Sequence, residues 1–126
     1  MNTLIWIGTG GFFGAIARFL ISGLVQKHFQ VPFPVGTLAV NVLGSFLIGF
    51  FVLLFEEIIA PQYKGMLITG FLGALTTFST FSYETSILIL EGAYLRALLN
   101  VLLNVLLCLT ATFLGMWTFK TLFRGL

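Results

Sequence analysis

Charged side chains are scarce in this sequence, and their scarcity excludes an ordinary soluble protein. Only 8% of the 126 residues are charged, against 59% that are hydrophobic, whereas soluble domains are about one quarter charged. The six lysines and arginines are scattered along the chain, so no basic cluster offers a footprint for nucleic acid. The composition indicates an integral membrane protein and argues against a nucleic-acid partner.

Residues that carry covalent or metal chemistry are also nearly absent. The chain has one cysteine, Cys108, and one histidine, His28, so neither a catalytic triad nor a zinc site can be assembled within one copy. Its four glutamates are expected in loops or near the ends of spans, which leaves no pair of carboxylates at membrane depth for acid–base catalysis. We therefore expect no enzyme, and movement of a small solute is the class that remains.

What the sequence does have is four long apolar stretches, at about residues 4–25, 35–55, 65–90 and 97–122. A bilayer core of about 30 Å is crossed by about 20 apolar residues in a helix. The first stretch has neither a basic region nor a small-residue cleavage site before it, so we expect a retained span and not a signal peptide. Only short polar breaks separate the stretches, which predicts a single transmembrane domain over residues 1–126.

Small residues four positions apart recur in every span, and such pairs let helix backbones approach closely in lipid. The pairs are Gly10 with Gly14, Ser45 with Gly49, Gly70 with Ala74, and Ala111 with Gly115. They predict tight helix packing, within one chain or between copies of it.

Amide side chains inside the spans need hydrogen-bond partners. Asn41 lies in the second span, and its position is compatible both with an interhelical hydrogen bond and with the lining of a pore. A further polar set follows one face of the fourth span at intervals of four residues: Asn100, Asn104, Cys108 and Thr112. A stripe of this length is more than one isolated hydrogen bond requires.

The densest polar run in any span is Gly73-Ala-Leu-Thr-Thr-Phe-Ser-Thr-Phe-Ser-Tyr-Glu84. Hydroxyl groups at membrane depth are expected to face protein, water or an ion. Phenyl rings have positive edges, so Phe78 and Phe81 could line an anion path while hydroxyls and amides donate hydrogen bonds. These groups favour a small anion over a cation, although a hydroxyl oxygen can also accept from or coordinate a cationic species.

The basic residues do not select one orientation in the membrane. Lys64, Lys120 and Arg124 belong to the side that holds both termini, while Lys27, Arg96 and Arg18 belong to the other side. Arg18 is counted there because its side chain is predicted to extend from the first span toward the headgroups. A balance of three against three predicts insertion in both orientations, and two opposed copies could pair about a twofold axis in the membrane plane.

Three stretches together resemble the Fluc (CrcB-type) fluoride channel family over essentially the whole chain. They are Gly14-Ala-Ile-Ala-Arg18, Gly36-Thr-Leu-Ala-Val-Asn41-Val-Leu-Gly-Ser45 and the run from Gly73 to Glu84. The resemblance implies an all-α membrane protein whose third transmembrane helix is broken and which assembles as an antiparallel, dual-topology homodimer in lipid. It also implies passive, fluoride-selective export from the cytoplasm across the bacterial inner membrane, which lowers fluoride toxicity.

The same resemblance assigns roles to single residues. The fluoride path is implied to include Asn41, Thr77, Phe78, Ser79, Thr80, Phe81 and Asn104. A structural sodium ion at the dimer centre is implied to be held by the backbone carbonyls of Gly73 and Thr76. Asn104 departs from the serine that is common in the family at the aligned position, and Glu84 is expected near the end of its helix.

Two other functions compete with a channel. A small dual-topology multidrug exporter also has four spans, but it needs a membrane-embedded carboxylate for proton coupling, which the first span lacks. A non-transporting membrane scaffold is the alternative if the polar residues only join helices together.

Overall fold

The computed structural model describes residues 2–57 and 61–123, and these residues form helices without any strand. The elements are α1 (Asn2–Phe29), α2 (Val35–Glu57), α3 (Pro61–Lys64), a π-helical segment (Gly65–Leu72), α4 (Gly73–Leu75), α5 (Phe78–Leu90) and α6 (Tyr94–Leu122). Arg124, one of the residues in the charge count, lies outside the described part.

Within the described ranges, four helices are long and apolar enough to cross a membrane. They are Asn2–Phe29, Val35–Glu56, the composite Gly65–Leu90 and Tyr94–Leu122. The four spans predicted from the sequence are therefore confirmed. No more than 22% of the most apolar window of each helix is buried, so large apolar side chains cover the outer surface, as expected for a bundle surrounded by lipid or by further copies.

The third span is built in two parts that are separated by a break. Its N-terminal half, residues 61–75, consists of α3, the π-helical segment and α4, and its C-terminal half is α5. The two residues between the halves, Thr76 and Thr77, have extended backbone angles. The break that the family resemblance implies is present at this position.

The helices pack in two groups. Helix α2 lies mainly against α6, and α1 lies mainly against the N-terminal half of the third span, whereas α5 has few neighbours and packs chiefly on α6. A small apolar core of Val40, Leu72 and Leu75, each at most 2% exposed, fills the space where α1, α2 and the N-terminal half of the third span meet. This core lies directly before the break.

Glycines permit the close approach of these helices. A Cβ atom added to Gly14 would overlap the carbonyl of Phe71, and one added to Gly49 would overlap the carbonyl of Thr112. Gly10, Gly70 and Gly115 are equally close to carbonyl groups on neighbouring helices. The close packing predicted from the paired small residues is therefore confirmed, and it occurs within one chain.

The connection between α1 and α2 is held by one side chain. Gln26 Nε2 donates to the carbonyls of Val31 and Phe33 at 3.2 and 2.9 Å, and its Oε1 accepts from the Gly36 N–H at 3.1 Å. These bonds satisfy backbone groups of a short connection in which Gln30 adopts a positive φ of 46°. The start of α2, and with it Asn41, is thereby fixed against the end of α1.

Candidate functional site

The two threonines of the break hydrogen-bond to the helices on either side of it. Thr76 has φ −86° and ψ 156°, and both its N–H and its Oγ1 donate to the Leu72 carbonyl at 3.1 Å. Thr77 has φ −150° and ψ 115°, and its Oγ1 accepts from the Thr80 N–H at 3.2 Å, which makes Thr77 the N-cap of α5. The local sequence thus ends one helix and starts the next within two residues.

Asn41 on α2 holds the extended backbone of Thr77 in place. Its Oδ1 accepts from the Thr77 N–H at 2.8 Å, and its Nδ2 donates to the Thr77 carbonyl at 3.2 Å. Both backbone groups of this extended residue are therefore paired, and an unpaired group at membrane depth would cost several kcal/mol. Of the two interpretations left open for Asn41, the interhelical hydrogen bond is the one seen directly in these contacts.

The two asparagines of α6 continue from Asn41. Asn41 Nδ2 donates to Asn104 Oδ1 at 3.1 Å, and Asn104 Nδ2 donates to the carbonyl and to Oδ1 of Asn100 at 2.8 and 3.0 Å. Asn104 is 7% exposed and Asn100 is fully buried. A primary amide has two hydrogens, so both hydrogens of Asn41 and both of Asn104 already have acceptors within the chain.

The two phenylalanines of the motif are adjacent but differ in exposure. Phe78 and Phe81 have ring centroids 5.3 Å apart and planes inclined at 53°. Phe78 is 78% exposed, whereas Phe81 is 8% exposed. Phe81 is therefore packed inside the chain, while Phe78 projects from its surface.

The predicted hydroxyl groups form a small cluster at the first turn of α5. Thr77 Oγ1 donates to Thr80 Oγ1 at 3.0 Å, and Thr77 Oγ1 lies 3.4 Å from Ser79 Oγ. Because Thr80 Oγ1 accepts from Thr77, it keeps its own hydrogen for a further acceptor. Ser79 is exposed, so this end of α5 presents hydroxyl groups next to the two rings.

A groove of about 360 Å³ brings most of the predicted site together. Its lining includes Asn41, Gly73, Thr76, Thr77, Phe78, Phe81 and Asn104, with Ser45 and Cys108 among the other residues along it. Ser79 and Thr80 lie beside it on α5 and do not line it. The groove is a continuous surface that combines apolar walls with the break of the third span.

Two carbonyls, one before the break and one within it, have lost their helical donors. In a continuous helix the N–H groups of Thr77 and Thr80 would bond to the carbonyls of Gly73 and Thr76. Here these N–H groups donate instead to Asn41 Oδ1 and Thr77 Oγ1. The carbonyls of Gly73 and Thr76 are thus available to another partner.

Two charged residues lie elsewhere than the sequence predicts. The Arg18 side chain does not extend toward the headgroups, because its Nε donates to the Ala74 carbonyl at 3.0 Å and so caps the helix before the break. Glu84 does not lie near a helix end but in the middle of α5. Its Oε1 is buried and has no hydrogen-bond partner among the described residues. The position of Arg18 depends on a contact with a distant part of the chain, and that of Glu84 depends on where α5 begins after the break.

Thr85 is the residue of this region that the sequence does not single out. Its Oγ1 donates to the Phe81 carbonyl at 2.8 Å and accepts from Asn100 Nδ2 at 2.9 Å. The stripe on α6 points to Asn100, but no sequence signal pairs that residue with α5. The pairing requires the relative register of two helices, which becomes visible only in three dimensions.

Comparison with known proteins agrees with this architecture. The family model described as CrcB-like protein, Camphor Resistance (CrcB), matches residues 5–116. A protein of a Nitratiruptor species is 59% identical over 125 residues, covering 99% of this chain and 98% of the relative. One from Methanocaldococcus jannaschii is 53% identical over 127 residues, covering 98% and 99%. Both relatives are named fluoride-specific ion channel FluC. With four apolar helices and a match over nearly its whole length, the chain is a multi-pass membrane protein that belongs to the CrcB-like family.

Proposed function

We propose that this chain forms a passive, fluoride-selective ion channel that lets fluoride leave the cytoplasm and so lowers its toxicity. The observation that carries the proposal is the polar break of the third span, bordered by Phe78 and Phe81, in a chain 59% identical to a protein named as a fluoride-specific channel. A channel is sufficient for this task because hydrogen fluoride is a weak acid. It enters from acidic surroundings and dissociates at neutral pH, so fluoride accumulates and leaves down its gradient.

The proposed fluoride path follows the groove and the first turn of α5. Phe78 and Phe81 line the groove, Ser79 and Thr80 lie beside it on α5, and both ring edges and hydroxyl groups attract an anion. The N-terminus of α5 adds the positive end of the helix dipole. A narrow path with few donors favours a small anion whose hydration shell those donors replace.

Asn41, Thr77 and Asn104 contribute to the path in a different way. Their polar groups bond to one another and to Ser79, Thr80 and Asn100 within the chain, so we assign them the wall of the path and the shape of the break. Asn104 in particular directs both amide hydrogens to Asn100. Its part in the proposal is therefore to orient Asn41, and not to donate a hydrogen bond to fluoride.

The path is completed by a second copy of the chain in the proposed assembly. Phe78 is 78% exposed and lies beside a groove of about 360 Å³. Within the described part of one chain, no other helix covers the Phe78 ring. Without Arg18, which bonds to the Ala74 carbonyl, the basic residues still divide nearly evenly, with Lys27 and Arg96 on one side and Lys64, Lys120 and Arg124 on the other, and this small bias supports an antiparallel, dual-topology homodimer. Each copy would then contribute residues to two symmetry-related paths in the plasma membrane, which in a bacterium is the inner membrane.

We propose that the backbone carbonyls of Gly73 and Thr76 would hold a structural sodium ion. Carbonyl oxygens are suitable ligands for a hard cation, and the N–H groups that would normally bond to the Gly73 and Thr76 carbonyls are diverted. A sodium ion would take the place of the hydrogen-bond donors that these two carbonyl oxygens have lost. In a dimer, equivalent carbonyls of two copies could share one ion.

Fluoride release from liposomes tests the function directly. The purified protein is reconstituted in vesicles loaded with potassium fluoride, and external fluoride is followed with an ion-selective electrode after a potassium ionophore is added. We expect rapid release of fluoride and no comparable release of chloride from matched vesicles. Release no faster than from empty vesicles would contradict the proposal and favour a membrane scaffold, whereas transport only under a proton gradient would favour an exporter.

A further inference from the structure

A chain of buried and half-buried polar side chains runs from the break into the contact between α5 and α6. It consists of Asn41, Asn104, Asn100 and Thr85, and we call these four residues the amide relay. The relay begins at the backbone of Thr77 and ends at the carbonyl of Phe81, with successive links of 3.1, 3.0, 2.9 and 2.8 Å. It therefore joins the break to the backbone of one of the two aromatic residues.

The links of the relay all point in one direction. The Thr85 hydroxyl donates to the Phe81 carbonyl, so its oxygen is free to accept from Asn100 Nδ2. The Asn100 amide then presents Oδ1 to Asn104 Nδ2. Each side chain has to adopt one orientation because the preceding link uses its other group.

The same direction continues to the break. Asn104 Oδ1 accepts from Asn41 Nδ2, and Asn41 Oδ1 in turn accepts from the Thr77 N–H. If the Asn41 amide rotated by half a turn, its Nδ2 donor would face the Thr77 N–H, and its Oδ1 acceptor would face the Thr77 carbonyl. The Thr77 backbone and the Asn100 carbonyl favour these orientations of Asn41 and Asn104, and the Thr85 hydroxyl supports the same direction from the far end of the relay.

The relay matters because α5 has little else to hold it. This helix has few packing neighbours beyond α6, and Thr85 lies one turn after Phe81 on the same helix. Asn100 is fully buried and Thr85 is half-buried, so the donor of the bond between them lies in the interior of the chain. Loss of this bond would free the first turn of α5 relative to the break.

We propose that Thr85 and Asn100 are positioning residues, which set the Asn41 amide and the Phe81 backbone in register across the break without contacting the ion. The consequence for transport rests on the proposed channel function. The consequence for structure, which is protection of the Thr77 N–H, does not depend on that function.

Three substitutions at one position separate positioning from packing. Thr85→Val keeps the shape of the side chain and removes the hydroxyl, Thr85→Ser keeps the hydroxyl, and Thr85→Cys replaces it by a weaker donor and acceptor. Thr118→Val is the matched control, because the Thr118 hydroxyl also bonds to the carbonyl four residues earlier, at 2.7 Å, on the exposed side of α6. Fluoride release and hydrogen exchange at the Thr77 amide are measured for each protein.

We expect Thr85→Val to slow fluoride release about tenfold and to accelerate exchange at Thr77 about tenfold, since a buried amide loses its acceptor. Thr85→Ser and Thr118→Val should behave like the wild type, and Thr85→Cys should fall between serine and valine. If Thr85→Val does not yield folded protein, the comparison of cysteine with serine carries the test.

The proposal fails if the valine variant, or the cysteine variant in its absence, matches the serine variant in both measurements. It also fails if the serine variant is as impaired as the valine variant, because size and not hydrogen bonding would then be responsible. A wild-type protein that does not release fluoride would contradict the channel function instead. Exchange at Thr77 would then decide the relay by itself.

Discussion

The two halves of the third span are held in place by different forces. Residues 61–75 lie against α1 with glycines at the crossing, and Leu72 and Leu75 are at most 2% exposed. Helix α5 instead has an exposed aromatic residue at its start, and it is attached through hydrogen bonds to Asn41 and Asn100. Close backbone packing holds the first half of the span. The second half is held mainly by hydrogen bonds, which depend on the orientation of the side chains that make them. We infer that the first half is scaffold and the second half is the part whose placement governs transport.

A substitution on the scaffold side should have the largest effect. Gly14→Leu would drive a side chain into the Phe71 carbonyl, and overpacking against backbone costs about 3 kcal/mol or more. We expect little folded protein, measured by size-exclusion chromatography and thermal unfolding in detergent. Gly23→Leu is the matched control, since a Cβ at Gly23 meets no atom within 4 Å. Equal yields of the two variants would contradict the rigid scaffold.

A substitution at the junction should have the next largest effect. Asn41→Asp replaces the amide donor by a carboxylate oxygen that faces the Thr77 carbonyl and Asn104 Oδ1. Repulsion at the break and a negative charge beside an anion path should both reduce fluoride release, by at least about tenfold. The measurement is the liposome assay, with Asn2→Asp at the exposed start of α1 as the control for added charge. Undiminished release from Asn41→Asp would show that Asn41 is not part of the path.

Substitutions of Phe78 and Phe81 should reduce stability less than Gly14→Leu does, but they should strongly slow fluoride release. Phe78→Ile and Phe81→Ile remove ring edges, so both should release fluoride much more slowly while the proposed dimer persists. Only Phe81→Ile should also lower the unfolding free energy, by about 1 kcal/mol, because Phe81 is 8% exposed and Phe78 is 78% exposed. Phe113→Ile, at a residue 70% exposed on α6, is the control. Wild-type release by both motif variants would remove the rings from the path.

Hydropathy and helix geometry together predict much of this fold. Four apolar stretches predict four spans because a bilayer imposes a minimum length, and pairs such as Gly10 with Gly14 predict close crossings because lipid offers little else to hold helices together. The break at Thr76 and Thr77 could be placed from the family resemblance. Its neighbouring polar residues, including Asn41, followed from the same motifs.

Contacts between residues far apart in the sequence could not be predicted in this way. Arg18 bonds to a carbonyl 56 residues away, whereas charge patterning puts its side chain at the membrane surface. The π-helical segment Gly65–Leu72 has no signature in an apolar run, since it depends on how that run packs against α1. Thr85 escapes prediction for a related reason: a hydroxyl on a helix usually bonds to its own backbone, and only the register of α6 reveals a second partner.

The contacts of Asn41 have a consequence for how this fold encodes its own interruption. A primary amide carries the same donor and acceptor as a peptide group, so one side chain on α2 does for Thr77 what an adjacent β-strand does for a residue in a sheet. The position at which the third span can leave the helical conformation with the Thr77 backbone still paired is therefore specified by α2. Shifting this asparagine by a turn would move the template while the threonines stayed where they are, and the interruption would lose its support.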